Sequence, residues 1–446
     1  MGYWTDGGKR IGVLGLGRSG RAAAALLRDR GFEVVGLDSG DSVDGCEHCG
    51  EFVTGDERIL EVVTGLDGLV VSPGVDPSSP VPVAAETAGI PVIGEVELAF
   101  RNSGVPVLAV TGSNGKTTTT EWLAYLMAEA GMDAVAAGNM GYPYSRAVLE
   151  RPDASWMVLE VSSYQLQTIE RFRPAAAAIL NVTPDHLSRH GGMEGYLEAK
   201  ARIFMNQNGD DVLVLNMDDP GSIPLRDRTS GLEWFFSLEK PVDCGVFLEG
   251  EDILFKCNGT VTPVMKTGEV PLPGRHNLAN ALAVTALAGA AGLEPESMVR
   301  GLSTFSGVPH RIRRVRVFEG VSWVNDSKST NPDSLKVALE SFTEPLILIA
   351  GGLAKEADYG LLEPLVRKKV KALVLVGDAA GMLADAWKGA ADTWVEKDME
   401  GAVSRARRLS RPGDVVLLSP GCASFDQYGN FEERGEHFVR LVEALK

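Results

Sequence analysis

The sequence predicts an α/β protein of three domains, and three observations predict it. Short apolar, β-branched runs alternate with helical patterns along most of the chain, as they do when parallel sheets are covered by helices. Two glycine-rich loops of different type, residues 15–20 and 112–117, each stand between such a run and a helix. A further set of strands recurs beyond Phe305, and at 446 residues the chain is too long for a single core. The expected divisions are 1–100, a Rossmann-like parallel sheet; 101–307, a central P-loop α/β domain with a small antiparallel patch; and 308–446, a second Rossmann-like α/β domain.

The first strand, Arg10–Leu14, runs into Gly15-Leu16-Gly17-Arg18-Ser19-Gly20, a helix over 21–30 and a second strand over 33–37 that ends at Asp38 and Ser39. This is a G-x-G-x-x-G fingerprint, in which glycines let the backbone approach a pyrophosphate at a helix N-terminus. Taken alone it suggests a dinucleotide, and a nicotinamide oxidoreductase is the rival reading it supports. Such units hold many diphosphate ligands, so it establishes the cradle better than the cofactor. The alternation continues through 68–72 to Ser72, Pro73 and Gly74, at a strand end where ligands of open sheets bind.

After a linker over 100–106, residues 105–110 read as a buried strand. A helix follows from Lys116 with an apolar stripe at Trp122, Leu123, Leu126 and Met127. Between them lies Gly112-Ser113-Asn114-Gly115-Lys116-Thr117-Thr118, a phosphate-binding loop in which Lys116 neutralises phosphate oxygens and the Thr117 hydroxyl reaches Mg²⁺. The pattern G-x-x-x-x-G-K-[ST] wants glycine where Val110 stands, so the loop is a shorter variant. A turn at 138–141 contains Asn139, and the strand 156–159 ends in Glu160, where a Mg²⁺ ligand is wanted beside a phosphate loop.

His186 and His190 are four apart, but Leu187 occupies the place of a zinc protease's glutamate, which excludes that site. Lys200 falls in a helix over 196–204, and spacing alone makes it no more than a surface lysine. Four β-like runs between 234 and 270 suggest an antiparallel patch beside the main sheet. A loop with Asn277 and Asn280 then leads into an Ala-rich helix. In the last third, strands at 321–325, 346–350, 372–376, 393–395 and 415–419 are followed by polar loops that hold Asp326, Lys328 and Thr330, then Lys355, then Ser424. The strand-end rule marks these as binding loops.

With 43 basic and 60 acidic residues, a net charge of −17, the chain is unsuited to general binding of nucleic acid or of anionic membranes. The opening residues lack the apolar core of a signal peptide, and the longest apolar stretch is short, so a cytoplasmic monomer is expected. Five cysteines in so long a chain make no disulfide framework, and Cys46 and Cys49 read as reduced thiols in a surface loop.

Taken in order, TGSNGKTT, GNMG, LEVSSYQL, NVTPDHLSRH, YLEAK, LPGRHN, GVPHR, NDSKSTNP, GGLAK and SPGCASFDQYGNFEERG resemble the Mur ligases of bacterial cell-wall synthesis over nearly the whole chain. The last segments resemble the branch that adds D-glutamate to UDP-N-acetylmuramoyl-L-alanine. The resemblance implies domains for UDP-sugar, ATP and amino acid, and amide formation through an acyl phosphate and a tetrahedral intermediate. It implies that Gly115, Lys116 and Thr117 hold the β and γ phosphates. Thr117 and Glu160 would bind one Mg²⁺, and His186 a second with Lys200, which this family carbamylates. Asn139 and His186 would touch the muramoyl substrate, and Gly15, Gly17, Arg18, Ser19, Asp38, Ser39, Ser72, Pro73 and Gly74 would surround the uridine diphosphate. Asn277 and Asn280 would face the adenine side. Arg311, Asp326 and Lys328 would close over ATP, and Thr330, Lys355, Ser424 and Phe431 would receive D-glutamate. At Gly40 the chain departs from members that carry arginine there. A nucleotide switch that hydrolyses ATP or GTP without an acceptor is the other rival.

Overall fold

A computed structural model describes residues 4–5, 7–40, 47–185, 187–354 and 357–446; Cys46, His186 and Lys355 lie outside the described residues. The described residues form three sheets of five, nine and six strands. In the first, the spatial order is Glu51–Thr54, Glu33–Asp38, Arg10–Leu14, Gly68–Val71, Val92–Gly94, with every pairing parallel. These strands are apolar on both faces because helices cover both, and Val34, Val35, Leu37 and Leu69 are wholly buried. The strand order reverses at Arg10–Leu14, so a crevice opens at its C-terminal end. There the Ser72 hydroxyl donates to the Gly15 carbonyl at 2.6 Å and ties two loops together.

The second sheet runs Thr260–Lys266, Asp252–Cys257, Gly245–Glu249, Leu232–Ser237, Val212–Asn216, Ala176–Ile179, Val107–Thr111, Trp156–Glu160, Ala134–Gly138. The phosphate-loop strand, Val107–Thr111, therefore stands inside the sheet beside the strand that ends in Glu160. The expected antiparallel patch needs one correction. Leu232–Ser237 pairs parallel with both its neighbours, and only the last three strands are antiparallel. Trp234 and Phe236 are buried, and a strand with that much apolar surface belongs within the main sheet; Pro263, which has no N–H to donate, lies on the edge strand. The patch is thus an extension of the sheet.

One apolar core joins the first two sheets, running from Trp4, Leu27 and Leu98 through Tyr144 and Val148 to Phe172 and Leu213. At this junction the Glu97 carboxylate, fully buried, accepts backbone N–H bonds from Glu170, Arg171 and Phe172 and a guanidinium bond from Arg101 at 2.6 Å. A buried charge is tolerable only when its oxygens are filled in this way. Packing divides the chain into two compact units, Met1–Pro271 with Leu278–Phe305, and Leu272–Asn277 with Ser306–Lys446.

The second unit holds the third sheet, in the order Arg313–Phe318, Val321–Asn325, Val415–Leu418, Leu346–Gly351, Val370–Val376, Asp392–Val395. Its core strands are sealed on one face by Leu348, Leu373 and Leu417 and on the other by Ile347, Val374 and Val416. The first strand, RRVRVF, was not expected from the sequence: its arginines hide it as charged edge strands are often hidden. No helix among the described residues is long and apolar enough to cross a membrane.

Candidate active site

The crevice of the first sheet is a cavity of about 400 Å³ lined by Gly15, Gly17, Arg18, Ser19, Asp38, Ser72, Pro73 and Gly74, together with Gly138 and Asn139 of the central sheet. The sequence-predicted diphosphate residues are thus brought together, apart from Ser39, which is exposed and outside the lining. Asp38 accepts the Leu16 N–H at 2.7 Å and the Gly40 N–H at 3.0 Å, so it shapes both loops. Gly15 has φ +85°, and a Cβ at Gly20 would stand 1.9 Å from the Gly15 carbonyl oxygen, which is why the helix can pack so close to the strand only with glycine there.

The phosphate loop is fastened from the side. The Ser113 hydroxyl donates to the Thr183 carbonyl and accepts the Thr183 N–H, while Asn114 and Asn181 exchange two bonds of 2.8 and 3.1 Å. Gly115, at φ +85°, is the N-cap of the helix Lys116–Glu129 without a side-chain cap bond, which leaves the first-turn N–H groups to an anion. Asn280 stands against this loop: a Cβ at Gly115 would meet its Oδ1 at 2.6 Å. Asn277 instead bonds the Pro273 carbonyl at 2.7 Å, at the start of its own helix and in the other compact unit.

Two lysines converge on this loop. Lys116 Nζ donates to the carbonyls of Gly112 and Ser113 at 2.8 and 2.9 Å, and Lys200 Nζ donates to the Gly112 carbonyl at 2.8 Å. Lys200 is 1% exposed and lies 4.3 Å from the centre of the Tyr196 ring. Burial, followed by the Lys116 charge, holds its pKa well below that of an ordinary lysine, against an opposing pull from Asp185. The expectation of a surface lysine from spacing is therefore corrected: the residue faces inward because its helix packs Tyr196, Ala199 and Lys200 onto the loop.

Glu160 is buried, accepts the Thr117 hydroxyl at 2.6 Å and receives the Asn139 amide at 2.9 Å. Gly138 lets the next strand approach, since a Cβ there would fall 2.2 Å from the Glu160 carbonyl oxygen. A hydroxyl and a carboxylate beside a phosphate loop are hard oxygen donors that suit Mg²⁺, which commonly takes one or two carboxylates with phosphate and water oxygens. Among the described residues no group of three or more His, Cys, Asp or Glu side chains is placed to hold a metal by itself. Thr117 and Glu160 would therefore share a Mg²⁺ with phosphate and water oxygens.

In the second unit, Asp326 accepts the Ser419 hydroxyl at 2.7 Å and the Ile312 N–H at 3.1 Å, and burial lifts its pKa to about 7 against those bonds and the Arg311 charge. Lys328 lies 5.6 Å over the Phe431 ring, and the Ser327 hydroxyl bonds the Phe431 carbonyl. Ser424 is buried and Thr330 half-buried. These loops are bound by a residue the sequence reading missed. Arg434, 3% exposed, donates to the Ser327 hydroxyl and carbonyl and to the carbonyls of Cys422 and Ala423. Its signal was available, because Arg434, Phe438 and Val442 recur at i, i+4 and i+8 on the buried face of the last helix. Arg189 was also missed; it joins Asp76 at 3.0 Å and the Val75 carbonyl at 2.8 Å, anchoring the loop beyond Gly74.

Comparison with known proteins matches residues 9–94 to the Mur ligase MurD-like N-terminal domain, 110–288 to the Mur ligase middle domain and 310–422 to the Mur ligase glutamate ligase domain. A UDP-N-acetylmuramoylalanine–D-glutamate ligase of Pelotomaculum thermopropionicum is 44% identical, with 98% of each chain covered. Relatives of the same name from Myxococcus xanthus and Clostridioides difficile are 43% and 40% identical, over 98% of this chain and 99% of theirs. Among solved structures, a UDP-N-acetylmuramate-alanine ligase from Thermotoga maritima has a TM-score of 0.61 at 20% identity, covering 98% of this chain and all of the other. MurF from Acinetobacter baumannii has a TM-score of 0.62 at 19% identity, covering 98% of this chain and 91% of the other. At that identity the structures speak for the fold, and the whole-length relatives decide the lineage: the chain belongs to the Mur ligase family.

Proposed function

We propose that this chain is an ATP-dependent, ADP-forming amide ligase that joins D-glutamate to the alanyl carboxylate of UDP-N-acetylmuramoyl-L-alanine, a cytoplasmic step in peptidoglycan precursor synthesis. The observation that carries the reading is Asn139, which lines the diphosphate cavity and also bonds Glu160 of the nucleotide site. A substrate whose diphosphate lies in the cavity therefore extends its acid end toward the phosphate loop. The γ-phosphoryl group passes to that carboxylate, the amine of D-glutamate attacks the acyl phosphate, and phosphate leaves the tetrahedral intermediate. The protein's share is positioning and charge neutralisation.

Lys116 and the first-turn N–H groups hold the phosphates, and Thr117 with Glu160 holds one Mg²⁺. Bound there, the ion offsets phosphate charge. The depressed basicity of Lys200 supports its carbamylation: the uncharged amine adds to CO₂ and loses a proton, giving an anionic carbamate whose oxygens, with His186, would hold a second Mg²⁺. Asn277 and Asn280 serve the adenine side, Arg311, Asp326 and Lys328 the ATP, and Thr330, Lys355, Ser424 and Phe431 the D-glutamate. The reading is of a monomer with divisions at 1–100, 101–307 and 308–446. The test is phosphate release from ATP with UDP-N-acetylmuramoyl-L-alanine and a panel of D- and L-amino acids. Release is expected only with D-glutamate; release without any amino acid, or equal release with an L-amino acid, overturns the reading.

A further inference from the structure

The antiparallel hairpin at the far end of the central sheet carries two cysteines in register. Gly245 stands opposite Lys256 and Val246 opposite Phe255, so Cys244 and Cys257 are the next residue on each side at the open end of this pair. Opposed residues of an antiparallel pair have Cα atoms about 4.5–5.5 Å apart. That falls inside the roughly 4.4–6.8 Å a disulfide spans. By the period of two, Cys257 shares a face with Phe255 and Ile253. Phe255 meets Trp234 edge-on at 5.6 Å and presses on the helix Arg275–Ala290, where a Cβ at Gly289 would be 2.6 Å from its ring. The thiols therefore lie at the rim of an apolar row under that helix. Both are free and half-buried, and a hydrogen bond joins one to the other. Asn258 and Gly259, at φ 51° and 78°, form the tight turn that holds Cys257 in place.

We propose that Cys244 and Cys257 form a cross-strand dithiol, a modification site that closes to a disulfide by exchange with a small-molecule disulfide and reopens with a reducing dithiol. Cys257, next to the exposed turn, gives up its proton and attacks one sulfur of the small disulfide; that S–S bond breaks, and the released half leaves as a thiol carrying a proton. Cys244 then loses its proton and attacks Cys257 Sγ, the new S–S bond forms, and the second half leaves as a thiol. Two protein thiols are oxidised and one disulfide is reduced, with no further reactant. Burial, followed by the neighbouring thiol, raises the Cys244 pKa, which assigns the first attack to Cys257.

The full chain is incubated with oxidised glutathione, digested without reduction and mapped by mass spectrometry. The expected product is a cross-link between the peptides containing Cys244 and Cys257, with the intact chain lighter by two hydrogen atoms, reversed by dithiothreitol. Cys244→Ser is expected to retain a stable glutathione adduct on Cys257 instead. Mapping separates this pair from Cys46 and Cys49. A lasting adduct on Cys257 of the unsubstituted chain, a link from Cys244 to any other cysteine, or no product at either position overturns the proposal.

Discussion

The two glycine-rich loops answer the same problem in opposite ways. In the first, residues 15–20, polar groups are committed to neighbouring backbone: Asp38 takes the Leu16 N–H and Ser72 takes the Gly15 carbonyl, and the result is an open cavity whose shape exists before anything enters. In the second, residues 112–117, the groups meant for a ligand are turned inward. The Nζ groups of Lys116 and Lys200 share the Gly112 carbonyl, and Thr117 spends its hydroxyl on Glu160. A polyphosphate must displace these bonds, and the Lys116 charge favours the exchange. One loop recognises by fit, the other by an electrostatic imbalance that only an anion corrects.

Substitutions can break this contrast, beginning with the greatest effect. Lys116→Ala is expected to lower turnover by about a thousandfold, the scale of removing a preorganised charge from a transition state. Calorimetric binding of the UDP-substrate should stay within about twofold; a parallel loss of both would mean that the loops do not work separately. Lys200→Ala is expected to cost about a hundredfold or more, with partial recovery when short carboxylic acids stand in for the proposed carbamate. Activity that needs no rescue would leave the second lysine without a role in the imbalance.

The shape-based loop is sharpened by a pair of glycines. Gly20→Ala places a methyl group 1.9 Å from a backbone oxygen, and a loss of about 3 kcal/mol is expected in denaturant unfolding. Gly17→Ala has open space around the new Cβ and φ −68°, so stability should change by less than about 0.5 kcal/mol, while the KM for the UDP-substrate rises as the methyl group enters the cavity. Equal destabilisation by the two would show that close packing is not what the fingerprint provides.

What the sequence disclosed follows from the range of the interactions involved. Strand, glycine turn and helix start are local, so the phosphate loop and the helix beginning at Lys116 could be read directly. The cavity residues at 15–19, 38 and 72–74 also emerged, because the glycine fingerprint and the strand ends of an open sheet mark them, whereas Asn139 came from the family resemblance alone. Lys200 could not be read from spacing, since its burial depends on a carbonyl 88 positions away. The helical spacing of Arg434, Phe438 and Val442 marks a buried face, but the partner of Arg434, Ser327, lies 107 positions back and has no local sign. The strand Arg313–Phe318 was concealed by its arginines, and the parallel placement of Leu232–Ser237 depends on which neighbour buries Trp234.

The carboxylate of Glu97 has a practical corollary for anyone recombining this chain with its relatives. Residues 9–94 match a domain in their own right, yet the helix Glu95–Arg101 directly after them supplies the acceptor that fixes backbone 170–172. A chimera cut at residue 94 and joined to a foreign helix lacking that acid would strand the three N–H groups of residues 170–172. Moving the seam past Arg101 while importing a foreign 170–172 segment would leave the acid itself stranded if the two backbones do not match. Productive exchanges must therefore transfer this acid and its receiving loop as one inheritance.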